Sequence, residues 1–187
     1  MLLTFSFTNV YGVYIAVGTI ITYLLEPYEY DSSDAGIMLG AVVVFGVVGS
    51  FFFSILLDKT KKFVIIYRFM CLSILMLVLL LEFTIKKDNF VNLCIHLAFF
   101  GFFLIATLPV GFSFSVDLTY PVNETLSSGF LILFSTIIGT IYSYTATYIL
   151  SVPRDRLEED GPLAVKNTLT IMICMLVCAV IASFFVK

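Results

Sequence analysis

The chain has 187 residues, 60% of them hydrophobic and only 12% charged, with a formal net charge of −3. A water-soluble domain carries about twice that charged fraction, so the composition excludes an ordinary soluble enzyme domain. The acidic balance excludes a basic nucleic-acid surface.

A hydrocarbon core about 30 Å thick needs roughly 20 apolar residues per helix, and six stretches meet this, at about 2–25, 35–57, 63–85, 91–114, 125–150 and 164–186. Backbone polar groups must be satisfied inside lipid, so each stretch is predicted to be a helix. The expectation is one all-α, multi-pass bundle covering residues 1–187.

The first span begins at Met1 and lacks a basic leader and a small-residue cleavage site, so it reads as a retained helix rather than a signal peptide. It is unusually polar, with Thr4, Ser6, Thr8, Asn9, Tyr11, Tyr14 and Thr19. An amide in hydrocarbon is costly unless it is bonded or wet. Asn9 is therefore a candidate for a solute cavity.

The second span carries Gly36, Gly40, Gly46 and Gly49 with Ser50 and Ser54. Small residues let helix backbones approach, so tight packing is expected, with a dimer face as the alternative. The Asp58-Lys59-Thr60-Lys61-Lys62 loop that follows is strongly basic and is assigned to the cytoplasmic or matrix side. Residues 26–34, 86–88 and 154–161 then fall on the opposite side, and the loop after residue 117 on the basic one.

The third span has few hydroxyls and can face lipid. Arg68, Glu82, Asp117 and Lys166 stand near span ends, within reach of the interface. His96, the single histidine, lies about one turn inside the fourth span, as a satisfied interfacial residue or a proton-coupling one. The run 101–129 is expected to begin as a membrane helix, break at Pro109 and Gly111, and leave the membrane at Asp117. Proline removes a helical donor. The chain would turn at Tyr120-Pro121 and re-enter through Ser127, Ser128 and Gly129. Asn123-Glu124-Thr125 is a formal glycosylation sequon, read as an accidental match on the basic side.

In the fifth span Ser135, Gly139, Ser143 and Thr147 recur every four residues, a small-residue stripe suited to helix packing. Thr136, Thr140 and Tyr144 form the adjacent stripe, which either lines a cavity or bonds its own helix carbonyls. The sixth span is nearly apolar after Thr170. Cys71, Cys94, Cys174 and Cys178 lie within spans and read as small packing residues. Nothing suggests a metal site, a nucleophile–base pair or a phosphate loop, so neither enzyme activity nor a cofactor is expected. With no buried carboxylate for sodium or protons, any transport would run down the solute gradient.

Two segments carry a family resemblance. Ser54-Ile-Leu-Leu-Asp58-Lys59-Thr60-Lys61-Lys62 looks like the second-half copy of the major facilitator loop motif. Gly101-Phe102-Phe103, Leu108-Pro109-x-Gly111-Phe112, Val116-Asp117-Leu118-Thr119-Tyr120-Pro121 and Glu124-x-x-Ser127-Ser128-Gly129 resemble the tenth helix, loop and eleventh-helix start of the feline leukaemia virus subgroup C receptor-related transporters. The resemblance implies the C-terminal six-helix half of a twelve-helix major facilitator fold, built as a 3+3 inverted repeat. It implies transport of a small organic solute, a choline-like amine or haem. It makes Asp58, Lys59, Lys61, Lys62, Pro109, Gly111, Asp117 and Glu124 a gating and loop framework. Thr136 stands where the family has a substrate-binding glutamine, and Tyr14-Ile15 where it has an aromatic pair. Tyr11 and Tyr14, on the same polar span as Asn9, join it as cavity candidates, as rings for the aromatic cage that a choline-like amine implies.

Two expectations follow. Either the chain is half of a carrier that pairs with a second half or with its own copy, or it is a degenerate half serving as a structural subunit of a larger membrane complex. In both, the partners are lipids and another membrane protein, with no nucleic acid. The plasma membrane and the mitochondrial inner membrane are both open as its location.

Overall fold

A computed structural model describes residues 2–86, 89–151 and 157–185. The expectations for Met1, Lys87, Asp88, residues 152–156 and Lys187 lie outside the described residues. Among those described, all regular structure is helical: α1 (Leu2–Leu25), α2 (Ser32–Thr60), α3 (Phe63–Thr84), α4 (Phe90–Thr119), α5 (Glu124–Leu150) and α6 (Leu157–Phe185), with a 3₁₀ turn at Glu26–Tyr28. Six helices are long and apolar enough to cross a membrane. The protein is an all-α, multi-pass membrane protein whose arrangement fits one half of a major facilitator fold.

Helix ends differ from the apolar limits where polar chemistry extends them. α2 starts at Ser32 because Asp31 and Asp34 form a capping box, with Ser32 N–H donating to Asp31 at 2.8 Å and Asp31 N–H to Asp34 at 3.3 Å. It stops at Thr60 because Lys61 turns left-handed, with φ of 51°, and its N–H closes on the Leu57 carbonyl at 2.7 Å. α6 begins at Leu157, seven residues before the apolar limit at 164, and contains Pro162. That proline removes one donor whose acceptor lies in the first turn, outside the apolar stretch.

The expected break at Pro109 and Gly111 does not occur. α4 runs unbroken from Phe90 to Thr119 with Pro109 inside it. A proline costs a membrane helix one hydrogen bond, which packing against neighbours tolerates. Gly111 serves packing: a Cβ there would run into the Phe7 ring. At the far end, Ser115 Oγ and Ser127 Oγ lie 2.7 Å apart, and Thr119 Oγ1 donates to Ser127 Oγ at 2.9 Å, so α4 and α5 are tied across the turn. Asn123 caps α5 by accepting the Thr125 N–H at 2.9 Å.

α2, α4, α1 and α5 form one layer, and α3 and α6 lie behind it against α4 and α1. Glycine sets the closest approach within the front layer. A Cβ on Gly49 would meet the Phe102 carbonyl, and one on Gly101 the Val42 carbonyl, so α2 and α4 touch backbone to backbone. Gly46 and Gly49 therefore meet the packing expectation, whereas Gly36 and Gly40 have nothing within 4 Å of such an atom.

Behind the layer, Ser6 Oγ donates to the Ala179 carbonyl at 2.8 Å and accepts from Tyr67 at 3.2 Å, joining α1, α3 and α6. Arg68 donates from Nε to the Ser183 carbonyl and from a terminal nitrogen to the Phe184 carbonyl, each at 3.0 Å. A cation thus closes the C-terminal end of α6, where helix carbonyls lack partners. His96 Nε2 lies 2.9 Å from the Leu77 carbonyl, which fits the satisfied interfacial reading. Lys166 and Glu82 pair at 3.7 Å at the opposite end.

Candidate functional site

α1 and α5 run parallel. Thr8 Oγ1 meets Ser135 Oγ at 3.2 Å, Gly12 faces Gly139, and Thr19 Oγ1 bonds Ser143 Oγ. The stripe Ser135, Gly139 and Ser143 is buried in this seam, as the small-residue spacing predicts. Gly139 sets the approach, since a Cβ there would lie 3.2 Å from Gly12 Cα and 2.7 Å from Ile15 Cδ1, whereas one on Gly12 would make an ordinary contact with Gly139 Cα at 3.5 Å.

That seam fixes the phase of everything beside it. Each residue turns a helix by about 100°. On parallel neighbours, the position before the seam on one helix and the position after it on the other fall on the same side. Tyr11 precedes Gly12, and Thr136, Thr140 and Tyr144 follow Ser135, Gly139 and Ser143. These four, with Ile15 and Gly18, lie on the side away from the Ser6–Ala179 contact. Thr136 and Thr140 are exposed and Tyr144 is 75% exposed.

Tyr14 is tied to this group by its ring, 5.6 Å from that of Tyr11. Phe7 stacks on Tyr11 at 5.9 Å and touches Phe112 of α4 at 5.7 Å, which makes an aromatic row from α4 onto α1. A cleft of about 290 Å³ opens where Tyr14, Ile15, Gly18 and Thr19 face Leu39, Val42 and Val43 of α2 and Leu104 of α4. Its lining holds no charged side chain. Gly18 and the α2 wall were not among the sequence candidates, and only the structure marks them: a Cβ on Gly18 would meet nothing within 4 Å, which leaves the cleft open beside it.

Asn9 stands apart from this side. It is buried and donates from Nδ2 to the Phe5 carbonyl of its own helix at 2.7 Å. Thr140 likewise donates to the Thr136 carbonyl at 2.8 Å, but its side chain remains on the exposed stripe. Pro109 and Gly111 lie within α4, whose neighbour Phe112 joins the aromatic row. Asp58, Lys59, Lys61 and Lys62 are exposed on the α2–α3 turn. Lys61 and Lys62 share a second cleft with Asp117. Glu124 borders a third, of about 460 Å³, with Phe112, Ser113, Val116, Thr125 and Ser128.

No protein-family model matches the chain. Individual relatives do. A Caenorhabditis elegans MFS-type transporter, C09D4.1, is 35% identical over 64% of this chain and 21% of its own length. The zebrafish (Danio rerio) choline/ethanolamine transporter flvcr2a is 33% identical over 76% of this chain and 31% of its own length. The chain is a relative of the FLVCR-type major facilitator transporters.

The human (Homo sapiens) choline/ethanolamine transporter FLVCR2 is more distant, 27% identical over 74% of this chain and 27% of its own length. The chain thus matches between a fifth and a third of the length of these three relatives. The resemblance read from the 101–129 run and the Asp58–Lys62 loop agrees with them.

Proposed function

We propose that the chain forms one half of a membrane solute pathway, closed by a second helical bundle laid over the α1–α5 face. The observation that carries this reading is the placement of Tyr11, Thr136, Thr140 and Tyr144 on one uncovered side of a glycine seam. Thr140 is also satisfied by the Thr136 carbonyl of its own helix, so the reading rests on the grouping of these side chains and not on any one hydroxyl. Coverage supports it too. Only 22% of the residues in the most apolar stretch of α2, and 22% of α5, are buried, against 39% to 56% for the other four helices. The two least covered helices sit at the two edges of the layer that carries the polar stripe.

The solute is a small organic cation, choline or ethanolamine, as in the names of the relatives. Tyrosine faces attract quaternary and primary ammonium groups, and Tyr11 and Tyr14 supply two adjoining rings. The cleft that Tyr14 borders lacks a carboxylate, so binding there rests on the ring faces, with the α5 hydroxyls outside its lining but on the same side of the seam. Reconstitution in vesicles, alone and with a complementary bundle from a relative, tests this with labelled choline and ethanolamine. Uptake in the paired sample is expected. Absence of both uptake and solute-dependent stabilisation in every pairing overturns the reading.

A second reading has one observation in its favour. Ser6, Thr8, Asn9 and Thr19 are all spent on hydrogen bonds within the bundle. A structural subunit whose polar helices serve assembly would look the same there. Co-migration with a stable membrane complex that does not transport these amines would support it over the first.

A further inference from the structure

We propose that the cleft between the α2–α3 turn and the end of α4 holds the headgroup of a membrane phospholipid carrying both a phosphate and a primary ammonium. Lys61 and Lys62 would engage the phosphate and Asp117 the ammonium. The cleft has a volume of about 290 Å³ and is lined by Lys61, Lys62, Phe63, Phe114, Asp117 and Leu118 among others. Its charged rim thus offers two cations and one anion, the complement of a zwitterionic headgroup. The lysine ammoniums are point charges on flexible stems suited to a phosphate.

The floor is apolar and fixed, because Phe63 stacks on the buried Phe114 at 6.1 Å. No side chain caps the first turn of α3 at Lys62, so its first amides lack an intrahelical acceptor beside this cleft. The decisive second feature runs along α3. Ile65, Phe69, Leu72, Met76, Leu80 and Phe83 are all exposed, at intervals of three and four residues. They form one straight apolar track that starts at the cleft and runs the length of a membrane-spanning helix. A soluble anion has no use for that track, whereas an acyl chain attached to the bound headgroup would lie along it. Continuity of a mixed-charge cleft with an apolar track selects the bilayer lipid as the occupant.

Native mass spectrometry of the purified full chain, incubated with equal amounts of dioleoyl phosphatidylethanolamine, phosphatidylcholine and phosphatidylglycerol, tests this. Phosphatidylethanolamine should be retained about tenfold over phosphatidylcholine, whose methylated nitrogen has no N–H for Asp117. The double variant Lys61→Gln, Lys62→Gln should lower retention of all three lipids about thirtyfold, since each juxtamembrane lysine adds about fivefold. Asp117→Asn should remove most of the preference for phosphatidylethanolamine over phosphatidylcholine, and it decides the matter if the double variant does not fold. Lys86→Gln, at the opposite end, should change nothing. Equal retention of phosphatidylethanolamine and phosphatidylcholine, unchanged retention by the lysine variant, or displacement of lipid by inorganic phosphate would overturn the proposal.

Discussion

Gly12 of α1 and Gly139 of α5 face each other so closely that a methyl group on Gly139 would stand 3.2 Å from Gly12 Cα. This pair sets the separation of the two polar helices and with it which residues are left uncovered. Gly139→Val should lower the thermal midpoint in detergent, at a cost of about 1–3 kcal/mol from overpacking. Gly40→Val, with nothing within 4 Å of its Cβ, should leave the midpoint of the isolated chain nearly unchanged. Equal effects at the two positions would contradict the packing described.

Hydroxyl pairs reinforce the same seam. A double-mutant cycle on Thr8→Val and Ser135→Ala should give a coupling of about 0.6 kcal/mol, and no more than about 2, the range measured between membrane helices. Thr136→Val, one position away and exposed, should show no coupling to Thr8.

The same seam also marks what could be read in the chain before its structure. The period of four in Ser135, Gly139 and Ser143 foretold a packed stripe, because small residues in a membrane helix have few other uses. The six spans followed from apolar length alone. The polarity of α1 was ambiguous in sequence, since a hydroxyl that lines a cavity and one that bonds a neighbouring helix are the same residue. Ser6 and Thr8 serve neighbours, which only the Ala179 carbonyl and the Ser135 hydroxyl reveal. Pro109 misled because proline penalties drawn from isolated helices ignore the support of surrounding packing. The α2 wall of the cleft was illegible, because Leu39 and Val42 differ from lipid-facing residues only through the bare Gly18 across from them.

Arg68 closes the end of α6 through two carbonyls, and its guanidinium carbon lies 5.2 Å from the Phe184 ring centre. Arg68→Gln should destabilise the bundle by about 1–2 kcal/mol through the lost charge-assisted bonds. Arg68→Lys should recover only part of this, because one ammonium cannot match the guanidinium fork. Thermal unfolding compared with hydrogen exchange of the last turn of α6 checks both the size and the place of the effect.

For solute binding, the aromatic row should matter more than the buried amide. Tyr14→Leu in the paired transporter should weaken choline binding about fivefold to thirtyfold, the worth of one cation–π contact in a desolvated site. Stability should change little, since Tyr14 is only half-buried. Asn9→Leu should act the other way, altering stability while leaving solute affinity intact, because its amide is engaged by the Phe5 carbonyl. Solute titrations on both variants, alongside their unfolding midpoints, separate the two roles.

Thiol labelling tests most directly whether the uncovered flank of α5 lines a solute path. In a background with Cys71, Cys94, Cys174 and Cys178 replaced, Thr140→Cys and Ser143→Cys would be exposed in membranes to a membrane-impermeant reagent, with and without choline. The expected result is that Thr140→Cys reacts and is protected by choline, while Ser143→Cys in the seam does not react. A Thr140→Cys that stays unlabelled in the paired protein, or reacts at the same rate with choline present, would contradict the pathway.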